Sequence, residues 1–292
     1  MVTNEPFYFR CGKTARNVIE FMQVCYEYPH DAAYHLINGH IAPWFNYVNR
    51  PELARIASDA LLLNAPNIDD QAVRLTWFLE NLCFERKVSG SGLNYFLHIP
   101  IREKGREKLP TILFLHGSAE KGAELSGIKN QALPDIISKN PDFPFLTLMP
   151  QCTLNSNWQN QFQNLKSLVQ EACNLYPIDP GRIYLTGISM GGAGAWKLAA
   201  QYPELFAALV PCCGYGDPLW ADRLKKIPTW IFHGAMDPLV PVHNSEKMFD
   251  ALTALRGNVR LTIYPQAEHD CWTETYNNPG FYQWLLEQHL PK

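Results

Sequence analysis

The chain has 292 residues, of which 47% are apolar and 18% are charged, and its formal net charge at pH 7 is −3. This composition predicts a sizeable folded core and excludes a wholly disordered chain. The small net charge argues against a nucleic-acid partner. Because the sequence holds no run of 18 uninterrupted apolar residues, we expect no membrane span.

The eight cysteines are scattered and form no Cys-x-x-Cys pair, so their spacing predicts reduced, mostly buried thiols and no zinc site. The first residues lack the basic region and apolar run that make up a secretory signal. We therefore expect a cytoplasmic protein without a bound metal ion.

Residues 1–83 carry helical patterns and no catalytic constellation. A short strand is predicted at Phe7, and helices are predicted after Thr14, Asp31, Pro51 and either Asp69 or Asp70, each of which suits the start of a helix. We interpret residues 1–83 as a small helical N-terminal domain.

Three histidines in that domain invite a metal-site interpretation. His30, His35 and His40 occur at intervals of five, which does not align side chains on one helix face. No acidic or cysteine cluster joins them, so no metal site is predicted there.

From residue 84 the pattern alternates between strands and helices. The predicted strands are 84–88, 93–99, 111–115, 145–149, 182–188, 207–212, 229–233 and 260–264, and the predicted helices are 133–140, 160–175, 191–201, 245–255 and 279–289. Such alternation predicts an α/β domain over residues 84–292, with a mostly parallel sheet flanked by helices. Active sites in such sheets lie at the carboxyl ends of the strands.

One of those strand ends carries the sequence Gly187-Ile-Ser189-Met-Gly191, followed by a helix of small residues. This strand, sharp turn and helix make up a nucleophile elbow, in which the serine hydroxyl stands at the edge of the sheet. The alternative is a glycine-rich turn whose serine only caps the helix.

A nucleophilic serine needs a base, and the base needs an acid that orients it. In folds that carry the serine on such an elbow, the chain order is serine, acid and histidine. Asp237 follows one predicted strand and His269 follows the next, which gives that order. The alternatives are a turn-forming Asp-Pro pair and a surface histidine.

Attack by the serine on a carbonyl group forms a tetrahedral intermediate whose negative oxygen needs backbone N–H donors. We expect these donors at Met190, directly after the serine, and at Ser118, in the loop after strand 111–115. His116 and His233 each precede a glycine at a strand end, and we interpret both as structural residues that bond neighbouring loops.

From about residue 84 to the end, the chain resembles the esterase group of α/β-hydrolases, which includes polyhydroxybutyrate-depolymerase-like, feruloyl-esterase-like, "predicted peptidase" and phospholipase/carboxylesterase proteins. The resemblance is carried by Leu115–Ser118, Met149–Cys152 with Trp158, Asp179–Trp196, Tyr202–Ala207, Phe232–Pro241 and His269–Trp272. The group's acidic loop, Gly-Glu-Arg-Gly, is Ala119-Glu-Lys-Gly here.

The resemblance implies Ser189 as nucleophile, Asp237 as acid and His269 as base, with Ser118 and Met190 forming the oxyanion hole. From the complete set of site residues we expect a serine esterase that cleaves small to medium carboxylic esters through an acyl-enzyme and needs no cofactor. A serine peptidase of the same fold is the alternative.

The substrate pocket is not specified by these motifs. Trp158, Tyr215, Trp220 and Trp272 are candidates to line it, and each of them equally suits the core or the rim. Residues 1–83 lie outside the resemblance, and residues 36–54 are faintly similar to helical modules appended to bacterial multidomain proteins. That similarity suggests docking of a protein partner or regulation, and it leaves open a catalytically idle scaffold that binds a partner.

Overall fold

The structure is a computed structural model that describes residues 5–63, 70–100, 108–122, 125–129, 131–140 and 143–291. These residues form two compact units. The first contains the described residues of Met1–Glu85, Pro100–Arg102 and Ser138–Phe143, and the second contains the others. Among the described residues, no helix has both the length and the apolar character needed to cross a membrane.

The first unit is helical, as expected. A two-stranded antiparallel hairpin is followed by five helices, and the bounds are β1 Phe7–Tyr8, β2 Thr14–Ala15, α1 Val18–Glu27, α2 Pro29–Ile37, α3 Ile41–Tyr47, α4 Pro51–Leu61 and α5 Asp70–Cys83. The prediction that Thr14 opens the first helix is wrong. Thr14 pairs in the hairpin, and the Asn17 side chain accepts the Glu20 N–H to cap α1.

Aromatic side chains fill the first unit. The rings of Phe7, Phe9, Phe21, Trp44 and Phe45 contact one another at centroid distances of 4.8–5.5 Å, mostly edge to face. These rings come from β1, α1, α3 and the segment after β1, so their burial joins elements that are far apart in sequence.

Two of the three spaced histidines do meet. His35 lies in α2 and His40 lies beyond its end, and their Nδ1 atoms are 3.1 Å apart. The interval of five therefore did not exclude this contact, because the chain leaves the helix between the two residues.

The second unit is built on an eight-stranded sheet. Its strands are β3 Glu85–Val88, β4 Asn94–His98, β5 Leu109–Leu115, β6 Leu146–Pro150, β7 Ile178–Ile188, β8 Ala208–Cys212, β9 Thr229–Gly234 and β10 Val259–Tyr264. The spatial order is β10-β9-β8-β7-β5-β6-β4-β3. The six strands from β10 to β6 run parallel, and β4 is antiparallel to β6.

The two edges of this sheet differ in character. Strand β3, at one edge, has the sequence Glu-Arg-Lys-Val and is largely exposed. The central strands β5 and β6 are buried at every position, which is what a parallel sheet covered on both faces requires.

Helices flank the sheet. Their bounds are α6 Ala132–Lys139, α7 Phe162–Leu175, α8 Met190–Gln201, α9 Ala221–Leu224, α10 His243–Ala254, α11 Trp272–Asn277 and α12 Pro279–Leu286. The predicted α/β architecture is confirmed, and most element ends lie within a few residues of their expected positions. The short helices α9 and α11, and helix α3 of the first unit, were not predicted.

Two glycines let β7, α8 and β5 approach one another closely. A Cβ atom added to Gly191 would lie 1.9 Å from the Leu115 carbonyl oxygen, and one added to Gly187 would lie 2.5 Å from the Gly191 carbonyl oxygen. Only glycine fits at either position, because both obstacles are backbone atoms of packed elements. The start of α8 is thereby pressed against the end of β5.

We expect Gly191→Ala to lower the free energy of unfolding by about 3 kcal/mol or more, the upper range for overpacking, since neither backbone can retreat. Gly127→Ala is the matched control, because its added methyl group would lie 3.8 Å from the nearest atom, which is ordinary contact distance. Urea unfolding of both variants checks this. Similar losses in the two variants would contradict the steric argument.

Candidate active site

Ser189 occupies the turn between β7 and α8. Its φ of 53° and ψ of −115° are unusual for a residue with a side chain, and such strained backbone is found at functional sites. The Ser189 N–H donates to the carbonyl oxygen of Cys212 at 3.0 Å, which ties the turn to the end of β8. The hydroxyl lies beside the N-terminus of α8, whose dipole favours negative charge there.

Asp237 and His269 reach this serine from two further loops. The His269 Nε2 atom lies 2.9 Å from the Ser189 Oγ atom, and His269 Nδ1 lies 2.7 Å from Asp237 Oδ2. Because the carboxylate can only accept, Nδ1 carries the proton and the Nε2 lone pair faces the serine hydroxyl. The structure thus brings the three predicted residues together in one hydrogen-bonded row.

A glycine determines how close the His269 loop lies. A Cβ atom on Gly234 would lie 2.0 Å from the Glu268 carbonyl oxygen, so the segment before His269 rests directly on the end of β9. The Met236 N–H donates to the Ala267 carbonyl oxygen at 3.0 Å, which binds the same two loops together. The loop that carries the acid and the loop that carries the histidine are therefore packed and hydrogen-bonded against each other.

The Asp237 side chain is fully buried, and its charge is supported by several donors. Its Oδ1 atom accepts the backbone N–H groups of Leu239 and Val240 at 2.8 and 2.9 Å. Burial raises the pKa of Asp237, but the hydrogen bond from His269 and these two N–H groups outweigh it, so that the pKa lies below its usual value. The carboxyl group is therefore ionised at neutral pH.

His233 also touches this carboxylate. Its Nε2 atom lies 2.8 Å from the Val240 carbonyl oxygen and 3.3 Å from Asp237 Oδ2, and its Nδ1 atom lies 2.6 Å from Ser245 Oγ. Both neighbours of Nε2 are acceptors, so that nitrogen carries a proton. His233 holds the loop after β9, in agreement with its interpretation as a structural residue.

The loop after β5 is held in a similar way by His116. His116 Nε2 accepts the Cys152 N–H at 2.9 Å, and Nδ1 donates to the Gly117 carbonyl oxygen at 2.7 Å. Burial lowers the pKa of His116 to about 4, so the ring is neutral at physiological pH. The Trp158 indole N–H donates to the His116 carbonyl oxygen at 3.0 Å and secures the same turn.

The two expected oxyanion donors lie on either side of the contact between the end of β5 and the start of α8. Ser118 is exposed in the loop after β5, and Met190 is the first residue of α8. Neither backbone N–H donates to another group within the part of the chain that the structure describes. The packing of Gly191 on the Leu115 and His116 carbonyl oxygens brings their two segments together.

Of the four candidate pocket residues, one is buried in the core and three are exposed or partly buried. Trp158 is 1% exposed, packs in the core and occupies the space left by Gly194, so its place is structural and it does not line a pocket. Trp272 lies edge to face on His269 with ring centroids 5.4 Å apart. Tyr215 is exposed, and Trp220 is half-buried against the core.

One residue near the triad was missed. Cys213 directly follows β8, and its sulfur lies with the Asp237 carboxylate and the His269 ring in a group whose ligand atoms are all within 4.8 Å of one another. Burial raises the pKa of its thiol. The signal that could have found it is its position, because it lies at the same sheet edge as the other three.

Comparison with known proteins agrees with this architecture. Residues 140–278 match the sequence profile of the family described as phospholipase/carboxylesterase. A crystal structure of a thermostable esterase superposes with a TM-score of 0.61 at 31% identity, covering 70% of this chain and 62% of that one. The protein therefore has the α/β-hydrolase fold, and the resemblance to the esterases of this fold is confirmed.

Curated relatives share shorter segments. Acetylxylan esterase A of Aspergillus awamori is 26% identical over 128 residues, which are 40% of this chain and 42% of that protein. Poly(3-hydroxyalkanoate) depolymerase C of Paucimonas lemoignei is 26% identical over 137 residues, 42% of this chain and 31% of that protein. The chain thus spans less than half the length of either relative.

The pKa of His116 predicts a pH dependence of stability. Below the pKa of an unfolded histidine, about 6.5, the unfolded chain binds a proton that the folded chain, with its pKa of about 4, does not. The stability linked to His116 is therefore complete above pH 6.5 and declines as the pH falls to about 4, by about 3 kcal/mol in all.

His116→Gln removes this titration while keeping a donor and an acceptor. We expect its free energy of unfolding, measured in urea from pH 7 to pH 4, to fall less steeply than that of the unaltered protein. The other histidines contribute equally to both proteins. Two parallel curves would show that the folded His116 titrates normally.

Proposed function

We propose that the protein is a serine hydrolase that cleaves small to medium carboxylic esters through an acyl-enzyme on Ser189. The observation that carries the proposal is the row Ser189–His269–Asp237, with contacts of 2.9 and 2.7 Å. A lone serine hydroxyl is a weak nucleophile, and this row supplies the base and the acid that activate it. The similarity to esterases supports the ester as substrate.

The reaction has two halves. In the first, Ser189 Oγ attacks the ester carbonyl carbon while His269 Nε2 takes its proton, and Asp237 stabilises the resulting imidazolium. The negative oxygen of the tetrahedral intermediate accepts the N–H groups of Ser118 and Met190. The bond to the alcohol oxygen then breaks, and His269 returns the proton to the leaving alkoxide.

In the second half, water replaces the alcohol. His269 Nε2 takes a proton from the water as its oxygen attacks the acyl carbon, and the new intermediate collapses with return of the proton to Ser189 Oγ. The carboxylic acid leaves and the serine is regenerated. The chain's own side chains account for every proton, so the scheme needs no cofactor.

The ester test uses p-nitrophenyl acetate, butyrate and octanoate. We expect Ser189→Ala to lower turnover by a factor of about 10⁴–10⁶, the range for loss of a triad nucleophile. Ser91→Ala, which alters an exposed serine in the β3–β4 turn, is the matched control and should keep full activity. A fluorophosphonate probe should label Ser189 in the active protein.

Two results would favour a function other than ester hydrolysis. Equal rates for wild type and Ser189→Ala, with no labelling of Ser189, would reject the hydrolase proposal and favour the idle scaffold that binds a partner through residues 1–83. Faster cleavage of matched p-nitroanilides than of the esters would favour the peptidase alternative, which uses the same triad.

We further propose that Trp272 and Tyr215 contact the acyl chain, with Trp220 at the rim. Because each buried methylene group contributes about 0.8 kcal/mol, Trp272→Ala should lower kcat/KM for octanoate about tenfold or more relative to acetate. Tyr8→Ala removes an exposed aromatic ring from the first unit and serves as the control. An equal loss on both esters would instead show that Trp272 only orients His269.

A further inference from the structure

A set of metal-ligand atoms lies directly at the triad. Cys213, Asp237 and His269 offer a sulfur, an oxygen and a nitrogen that are all within 4.8 Å of one another. In the part of the chain that the structure describes, this is the one group of three or more histidine, cysteine or acidic side chains with ligand atoms so close. The three residues lie on three loops, so their spacing along the chain does not bring them together, although each of them follows a strand at the same edge of the sheet.

The backbone fixes Cys213 in this position. Its φ of 42° lies in the left-handed region, and its N–H donates to the Phe232 carbonyl oxygen of β9 at 2.9 Å. The next residue, Gly214, packs against Gly192 of α8 so closely that a Cβ atom there would lie 2.4 Å from backbone carbon. The thiol is therefore held in place by a rigid turn.

We propose that Cys213, Asp237 and His269 bind a thiophilic divalent cation of the Zn²⁺ and Cd²⁺ type, and that this cation inhibits the protein. Thiolate, imidazole and carboxylate are the ligands of zinc, and three protein ligands leave one position open. With bonds of about 2.0–2.3 Å, such ligands lie roughly 3–4 Å apart, so modest side-chain movement closes the site. The inhibition, though not the binding, rests on the proposed function.

The proton balance explains the inhibition. The cation replaces the thiol proton of Cys213, which is released to solvent, and it bonds the Nδ1 lone pair of a neutral His269 ring. The ring proton then lies on Nε2, 2.9 Å from Ser189 Oγ. A protonated Nε2 cannot accept the serine proton, so the nucleophile is no longer activated.

Other groups could compete for such a cation. Cys11 is an exposed thiol of the first unit, whereas Cys271 is a buried thiol that is hydrogen-bonded to the Cys213 thiol and belongs to the same surroundings. The His35–His40 pair, with Nδ1 atoms 3.1 Å apart, offers nitrogen without sulfur. A probe that reports sulfur ligation therefore separates these sites when each is altered in turn.

The experiment is a Cd²⁺ titration of the 292-residue chain, followed by calorimetry and by the ultraviolet thiolate-to-cadmium charge-transfer band. We expect one Cd²⁺ per chain together with that band. Cys213→Ser should abolish the band and weaken binding at least about 100-fold, because loss of even an outer-shell partner costs about 10- to 100-fold. Cys11→Ser and His40→Gln should bind as the unaltered protein does.

Two results would overturn the assignment: no band in the unaltered protein, or an unchanged band in Cys213→Ser. If circular dichroism shows that Cys213→Ser does not fold, His269→Gln decides, since it should keep the band and weaken binding, and unchanged affinity rejects the site.

Ester hydrolysis measured in the same titration separates the two claims. Activity should fall as Cd²⁺ occupies the site and return when a chelator removes it, and continued turnover by the loaded protein would reject the inhibition. If Cd²⁺ binds with the expected band and the metal-free protein hydrolyses no ester, the proposed function fails and the binding site stands.

Discussion

The crossing of β7, α8 and β5 is the constraint on which the rest of the second unit depends. At Gly191 the helix backbone lies so close to the Leu115 carbonyl oxygen that no side-chain atom fits. This contact forces the chain to turn within one residue, which places Ser189 in its unusual backbone conformation. Such strain costs roughly 1–3 kcal/mol and persists because buried strands and a packed helix hold both sides.

The same crossing also fixes the positions of the segments around Ser189. The loop after β5 begins at the point of contact, and His116 and Trp158 bind it from behind. On the other side, the Ser189 N–H bonds the end of β8. Three strand ends are thus fixed around one serine by backbone contacts together with the side-chain hydrogen bonds of His116 and Trp158.

Much of this could be predicted from sequence, because the signals are local. Buried strands are apolar runs, and the elbow is a pattern of glycines around a serine, so β5, β7, α8 and the order of Ser189, Asp237 and His269 were predicted from the residues themselves. The full burial of Trp158 was not, since it depends on the space that Gly194 leaves on another element.

Contacts between distant segments escaped prediction for the same reason. The meeting of His35 and His40 requires the chain to leave α2 at a particular residue, and the approach of Cys213 to Asp237 and His269 requires three loops to converge. Spacing along the chain carries no record of either event. The roles of the predicted site residues, and of residues 1–83, remain predictions.

The charged edge strand has a consequence for the behaviour of the protein at high concentration. An open sheet edge offers unpaired backbone groups to any second strand, and polymerisation through such edges is a general hazard of β-sheets. Strand β3 carries Glu85, Arg86 and Lys87 in succession, and charged residues on an edge strand disfavour such pairing. Among the described residues, a strand from a second molecule that added beside β3 would pack against these charged side chains, which disfavours fibre growth along that edge.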